Sequence, residues 1–295
     1  MNDLSTARRR YAEELREKSR VRSPGLIRAF ATVERECYLG PGPWQILDPA
    51  SVTAMPLVYQ RTPDADPIQL YRDVLVGIDA ARGLNNGQPS AHALWMDALD
   101  PRPGDFVVHV GCGTGYYSAI LAEAVEPRGR VTAIEIDPEL ATAAARNLAH
   151  RTNVQVVRGD GCTYDPGAVD AIYVNAGATH ILPLWCDRLR PGGRLVVPLV
   201  RWPESPEEAS ASGMGVVVAI THREDGDTAA IISPVGIFPC LGAIDVNADR
   251  RLAEALARGA TGDAVRSFRR GAHDQEPECW LHGDGFCLSG RAVPR

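Results

Sequence analysis

Phe106-Val107-Val108-His109-Val110-Gly111-Cys112-Gly113-Thr114-Gly115-Tyr116 runs from an apolar stretch into a glycine loop. The apolar residues read as a buried strand, and Ser118-Ala119-Ile120-Leu121-Ala122-Glu123 beyond the loop reads as a helix. Glycines at 111, 113 and 115 let the backbone turn tightly and approach a ligand without interference from Cβ atoms. The spacing is G-x-G-x-G, whereas the dinucleotide fingerprint is G-x-G-x-x-G; position 116 is Tyr. No G-x-x-x-x-G-K-[ST] segment is present, which excludes a phosphate-cradling P-loop. His109, inside the strand, reads as a packed core residue.

Strands and helices alternate from there onward. Val131-Thr132-Ala133-Ile134-Glu135 is a second strand, followed by a helix with Asp137 as N-cap and Pro138 in the first turn. Val154–Val157, Ala171–Val174 and Arg194–Pro198 supply three more strands. This spacing predicts an α/β fold, a Rossmann-like, mostly parallel, doubly wound sheet covered on both faces. Glu135 stands at the end of the second strand, about 20 residues past the glycines, where a carboxylate can accept from both hydroxyls of a ribose. Asp160, in Gly159-Asp160-Gly161 after the third strand, can accept from an adenine amine. Three features at three successive strand ends converge on the crevice where ligands bind in such sheets.

The flanks are of another kind. Residues 4–39 predict two helices, the second opened by Ser23-Pro24 and carrying Leu26, Ile27, Phe30 and Val33 on one stripe. Pro41, Pro43, Pro49, Pro56, Pro63 and Pro67 make residues 40–73 irregular, with short strands at most. Residues 90–99 predict a helix, and Trp202–Ser212 a polar surface loop. Gly215–Ile220 and Ala230–Ile232 predict an antiparallel pair closed by Glu224-Asp225-Gly226-Asp227. The tail predicts a helix over 248–258 and strands near 265–268 and 279–282.

Composition narrows the functional classes. Thirty-one Lys and Arg against 37 Asp and Glu leave a net charge of -6, without the basic excess of a nucleic-acid binder. Seven cysteines, an odd number with no C-x-x-C pair, do not form a disulfide framework or a zinc ribbon. His273, Cys279, His282 and Cys287 have metal-ligand side chains at irregular spacing, which favours buried packing, and no metal is expected. The charged N-terminus lacks a secretory apolar run, and no stretch approaches membrane-spanning length, so a cytoplasmic protein away from membranes is expected.

The ordered segments VVHVGCGTGYYSAILAEAV, VTAIEIDPEL, NVQVVRGDG, VDAIYVNAGATHILPLWCDRLRPGGRLVVPL and ISPVGIFPCLG resemble class I S-adenosylmethionine-dependent methyltransferases, and among them the protein-L-isoaspartate O-methyltransferase family. The N-terminal helix ending in VERECYL does so too, and the resemblance covers roughly residues 11–240. It implies S-adenosyl-L-methionine as cofactor, held by Gly111, Cys112, Gly113, Thr114, Gly115, Tyr116, Glu135, Ile136, Asp160 and Gly161. The family carries a Thr-x-Ser-x-Pro-like loop whose Ser lies beside the substrate carboxylate. Here the stretch reads Asn85-Asn86-Gly87-Gln88-Pro89-Ser90, with Gly87 in place of that Ser. Asn86 and Gln88 are then candidate amide donors to substrate or cofactor, Asn175 lies at the catalytic edge of the sheet, and His180 is either a substrate contact or an inert loop residue.

Expected boundaries put N-terminal helices and the substrate-side loop in 1–100, the cofactor-binding core in 101–244 and an α+β extension in 245–295. Methyl transfer to a carboxylate needs no strong base, because the acceptor is already ionised at neutral pH. The expected activity is O-methylation of a protein or peptide carboxylate of isoaspartyl or aspartyl type. A dedicated peptide or small-molecule natural-product acceptor is the alternative suggested by Gly87 and the extended tail, with a non-catalytic nucleotide-fold module a third.

Overall fold

In the computed structural model, which describes residues 3–48, 58–79, 82–202, 213–260 and 262–293, helix starts follow local capping chemistry. Helix α1 (Leu4–Ser19) is capped by Asp3, and α2 (Pro24–Thr32) by Ser23, whose Oγ accepts from the Leu26 N–H. Among the described residues, the proline-rich stretch and the residues after it form β1 (Gln45–Leu47), β2 (Tyr59–Arg61), a 3-10 turn at Pro67–Leu70, β3 (Gly77–Asp79) and β4 (Leu84–Asn85) before α3 (Pro89–Leu99). Then come β5 (Phe106–Val110), α4 (Tyr116–Ala124), β6 (Arg130–Glu135), α5 (Pro138–Leu148), β7 (Val154–Arg158) and β8 (Val169–Val174). Asp137 caps α5, accepting from the N–H groups of Glu139 and Leu140. The chain continues through α6 (Pro183–Asp187), β9 (Leu189–Arg201), β10 (Gly213–Thr221), β11 (Asp227–Ile237), α7 (Val246–Ala257), β12 (Ser267–Arg270), β13 (Cys279–Gly283) and β14 (Phe286–Ser289).

Packing divides the chain into two units. The first comprises Met1–Asp105 and Cys112–Gly159, the second Phe106–Gly111 and Asp160–Arg295. This partition passes through the parallel strands, whereas the boundaries expected at residues 100 and 244 follow sequence signals.

In the first unit, α1 packs on α2 and α3, and α2 on α4. Tyr11, Leu15, Leu26 and Phe30 are buried there, with Tyr11 edge-on to Phe30. Strands β6 and β7 run parallel, from Val131 opposite Val154 to Glu135 opposite Arg158, and α5 packs against both. Leu39, Trp44, Ile46, Leu70 and Val76 form a smaller cluster that anchors the proline-rich segment.

In the second unit the strand order is β13-β14-β12-β11-β10-β9-β8-β5. The β5–β8 and β8–β9 pairs are parallel, and the ladder is antiparallel from β9 outward. All five residues of β5 are buried. His109 packs beside Tyr173, and burial pushes its imidazole down to about 3, so it is a neutral core side chain. The expected 224–227 turn joins β10 to β11. Strand β9 extends well beyond the expected 194–198, and β14 was not anticipated. Of the polar loop expected over Trp202–Ser212, residues 203–212 lie outside the described residues, as do Pro49 and Pro56. No helix among the described residues is long and apolar enough to cross a membrane.

Candidate functional site

The glycine loop presents its open side at Gly113. Its φ is +56°, and a Cβ there would meet nothing nearer than Ile78 Cδ1 at 4.0 Å. The Gly113 N–H donates to Glu135 Oε2 at 2.7 Å, and the Asp137 N–H donates to Glu135 Oε1 at 3.1 Å. Burial pushes the Glu135 carboxyl up, opposed by these backbone N–H groups. A carboxylate offers about four lone-pair sites, so both oxygens keep acceptor capacity after these bonds. Ile136, the next residue, is 47% exposed, an apolar side chain left beside the acid.

The remaining loop residues serve the scaffold. Burial and the Glu135 charge push the Cys112 thiol up, which keeps it protonated; its backbone N–H donates to Ile134 O. The Thr114 carbonyl accepts from Asn147 Nδ2, and a Cβ on Gly115 would stand 2.7 Å from Leu148 Cδ1. The Tyr116 ring is buried beside Tyr38 and Tyr117, which leaves its backbone for a ligand.

In the second unit, Asp160 Oδ1 accepts from the Cys162 N–H at 2.8 Å. Gly161 is held by packing, since a Cβ would stand 2.4 Å from Val110 Cγ1, and its carbonyl accepts from Trp185 Nε1. The side chain of Asn175 donates through Nδ2 to Gly111 O at 3.3 Å, which places it against the start of the glycine loop. His180 Nδ1 is 3.2 Å from Thr179 Oγ1, and burial pushes its pKa down.

Residues that no motif marks hold the 85–90 loop in place. Arg35 is fully buried and donates to the carbonyls of Leu70 at 2.6 Å, Arg72 at 3.1 Å and Val74 at 2.8 Å. Asn86 Oδ1 accepts from Arg35 Nη2 and from the Val76 N–H, while Asn86 Nδ2 is buried without a hydrogen-bond partner. Its oxygen is therefore committed to the scaffold, while its nitrogen, the donor invoked for substrate or cofactor, is buried. Gln88 Nε2 donates to Asp73 Oδ2, and the Ser90 N–H to Asp73 Oδ1. Burial raises the Asp73 carboxyl, but Lys18, Ser90 and Gln88 together hold it below the usual carboxylate range.

Gly87 has φ +75°, and a Cβ would lie 2.2 Å from His92 Nε2. His92 cannot easily yield, because it stacks on Tyr117 with ring centroids 3.6 Å apart. The space where the family's Ser side chain would begin is filled by this imidazole. Gly87→Ser is therefore expected to lower stability by about 3 kcal/mol, combining left-handed backbone strain with overpacking. Urea unfolding checks this, and a loss below about 1 kcal/mol would show that the ring moves freely.

Residues 7–208 match the model of the family described as protein-L-isoaspartate(D-aspartate) O-methyltransferase. The protein-L-isoaspartate O-methyltransferase of Pyrobaculum neutrophilum is 33% identical over 196 residues, covering 65% of this chain and 83% of that protein. That of Methanopyrus kandleri is 42% identical over 123 residues, 40% of this chain, which spans about half (54%) of that relative. A solved protein-L-isoaspartate O-methyltransferase superposes with a TM-score of 0.60 at 21% identity, over 90% of this chain and 72% of the other. A Plasmodium falciparum structure described as a putative member in complex with S-adenosyl-L-homocysteine gives 0.53 at 19%, over 79% and 94%. These superpositions agree on the α/β, Rossmann-like fold. With the match running through two thirds of the sequence, glycine loop and Glu135 included, the chain belongs to the protein-L-isoaspartate O-methyltransferase family.

Proposed function

We propose that the protein is an S-adenosylmethionine-dependent O-methyltransferase acting on a carboxylate of a protein or peptide. The observation that carries this reading is the buried Glu135 carboxylate joined to the open Gly113 turn. An acceptor acid beside backbone that a ligand can approach fits a ribose with both hydroxyls donating. Ile136 supplies an apolar surface for a base, and Asp160 an acceptor for an adenine amine. Gly111 and Cys112–Tyr116 contribute backbone, and Gly161 the close approach to Val110 that shapes the turn after Asp160.

When bound, the cofactor supplies a methyl group on a sulfonium centre that is already a good leaving group. The chain's task is then to bind, align and exclude water, for which effective molarity gives the rate advantage. No residue has to remove a proton from an ionised acceptor, in keeping with the neutral His109 and the protonated Cys112 thiol. In this reading Asn175, bonded to Gly111 O, orients the reacting end, and the Gln88–Asp73 bond holds the substrate-side loop.

Incubation with an isoaspartyl peptide and methyl-labelled cofactor is expected to give a base-labile ester. Absence of S-adenosylhomocysteine binding in calorimetry overturns the methyltransferase reading. His92 in the space of the family's Ser favours a second reading, a dedicated peptide or small-molecule carboxylate acceptor. Cofactor binding with no ester on the isoaspartyl peptide selects that second reading.

A further inference from the structure

The tail brings together four side chains that are scattered in sequence. One ring nitrogen each of His273 and His282 and the Sγ atoms of Cys279 and Cys287 all lie within 4.8 Å of one another. We infer that these residues form a closed Cys2His2 zinc site, separate from the methyl-transfer machinery.

The register of β13 and β14 explains how the irregular spacing becomes a cluster. His282 is paired with Cys287, and Cys279 with Ser289, with a register shift between Cys279 and Leu281. Residues 279 and 282 differ by an odd number and would face opposite sides of a regular strand. The bulge inserts one residue between them, so Cys279, His282 and Cys287 share one face. His273 joins them from the loop after β12.

The donor chemistry fits a metal. His273 Nδ1 is 2.7 Å from the Asp274 carbonyl, which can only accept, so Nδ1 carries the proton and Nε2 has the lone pair. That Nε2 and the Nδ1 of His282 are both buried with no hydrogen-bond partner. Two buried imidazole nitrogens left unsatisfied beside two thiols are costly in an apo cluster and are satisfied together by one cation. A carbonyl bonded to the far ring nitrogen is the usual support of a metal-bound histidine. The Glu276 N–H points at Cys279 Sγ at 3.4 Å, a donor that steadies a thiolate.

Two sulfurs and two nitrogens in tetrahedral reach select zinc over hard cations. With zinc–ligand bonds of about 2.0–2.3 Å the tetrahedron has edges of roughly 3.3–3.8 Å, so the ligands close in by about 1 Å on binding. Four protein ligands leave no open position, which makes the site structural. It fastens the 271–278 loop to the terminal hairpin, a part of the second unit with few long elements.

The test is the metal content of the full chain, purified without chelator from zinc-replete cells, by inductively coupled plasma mass spectrometry. About one zinc per chain is expected, with loss in Cys279→Ser and Cys287→Ser and retention in Cys37→Ser, whose thiol is exposed elsewhere. Exchange with cobalt(II) is expected to give the visible bands of a tetrahedral thiolate complex. Stripping the zinc is expected to lower the melting temperature by roughly 5 °C or more. Should the serine variants fail to fold, the wild-type content and the cobalt spectrum still decide. Wild-type protein with no zinc and no cobalt spectrum, or with Cys279 and Cys287 joined as a disulfide, overturns the inference.

Discussion

Replacing Glu135 with Ala is expected to weaken binding of S-adenosylhomocysteine by about 100-fold or more in isothermal titration calorimetry. Hydrogen bonds to an ionised acceptor contribute about 1.5–3 kcal/mol each, and two ribose hydroxyls donating to this acid reach that loss. Glu135→Gln keeps the shape and one oxygen acceptor, and is expected to lie between wild type and Ala. Because Glu135 also accepts from Gly113 and Asp137, circular dichroism and melting temperature must show that the loop has survived. A well-folded Ala variant that binds within about threefold of wild type would remove Glu135 from the site.

Acid has a related effect. Burial raises the Glu135 carboxyl above the ordinary value of about 4.3. Ligand affinity is therefore expected to decline on acidification sooner than an exposed glutamate would cause. The sign for folding is opposite. The folded protein binds this proton more tightly than the unfolded chain, so the group's contribution to stability is present at low pH and is lost as pH rises through the raised value.

Arg35→Met is expected to cost about 3–5 kcal/mol of stability, the second large effect. Three backbone carbonyls, of Leu70, Arg72 and Val74, receive their donors from this one buried guanidinium, which also lies about 6 Å from the rings of Tyr11 and Tyr116. Methionine refills much of the volume but takes the donor from the Leu70 and Val74 carbonyls, at about 1–3 kcal/mol each if no water enters, while the Arg72 carbonyl keeps the Val74 N–H. Arg35→Lys does not rescue this, because an ammonium lacks the planar fork that reaches separate carbonyls. Chemical denaturation measures the loss, and a change under about 1 kcal/mol would mean that the 70–76 segment reorganises around the substitution. Since Asn86 is bonded to the same guanidinium, the variant should also loosen the loop that carries Gly87.

Much of the fold was legible because its signals are local. Apolar runs marked β5, β6, β7 and β8, and capping residues such as Ser23 and Asp137 marked helix starts within a residue or two. The glycine loop and Glu135 were legible for the same reason: a strand end and a fixed offset suffice. Long-range partners were not. Arg35 sits in a charged segment of sequence, and nothing there reveals that the chain folds its guanidinium onto carbonyls 35 to 39 residues away. Asp73 and His92 escaped likewise, each being defined by partners on other elements. In the tail the four His and Cys side chains were legible by type, but the bulge in β13 broke the two-residue period that would have put Cys279 and His282 on one face. Asn86 shows a related effect: its place beside a recognisable loop was legible, but not that its oxygen is bonded within the scaffold and its nitrogen buried.

The Gly87–His92 contact also constrains the order in which this lineage can change. A side chain at position 87 collides with the imidazole as long as His92 is present. Loss of the imidazole removes the collision and leaves only backbone strain of about 1–2 kcal/mol for a serine at positive φ. A serine at position 87 is therefore expected to be tolerated better once position 92 has been changed than before. Positions 87 and 92 are thus coupled through packing, and sequence comparison at position 87 alone would not reveal it.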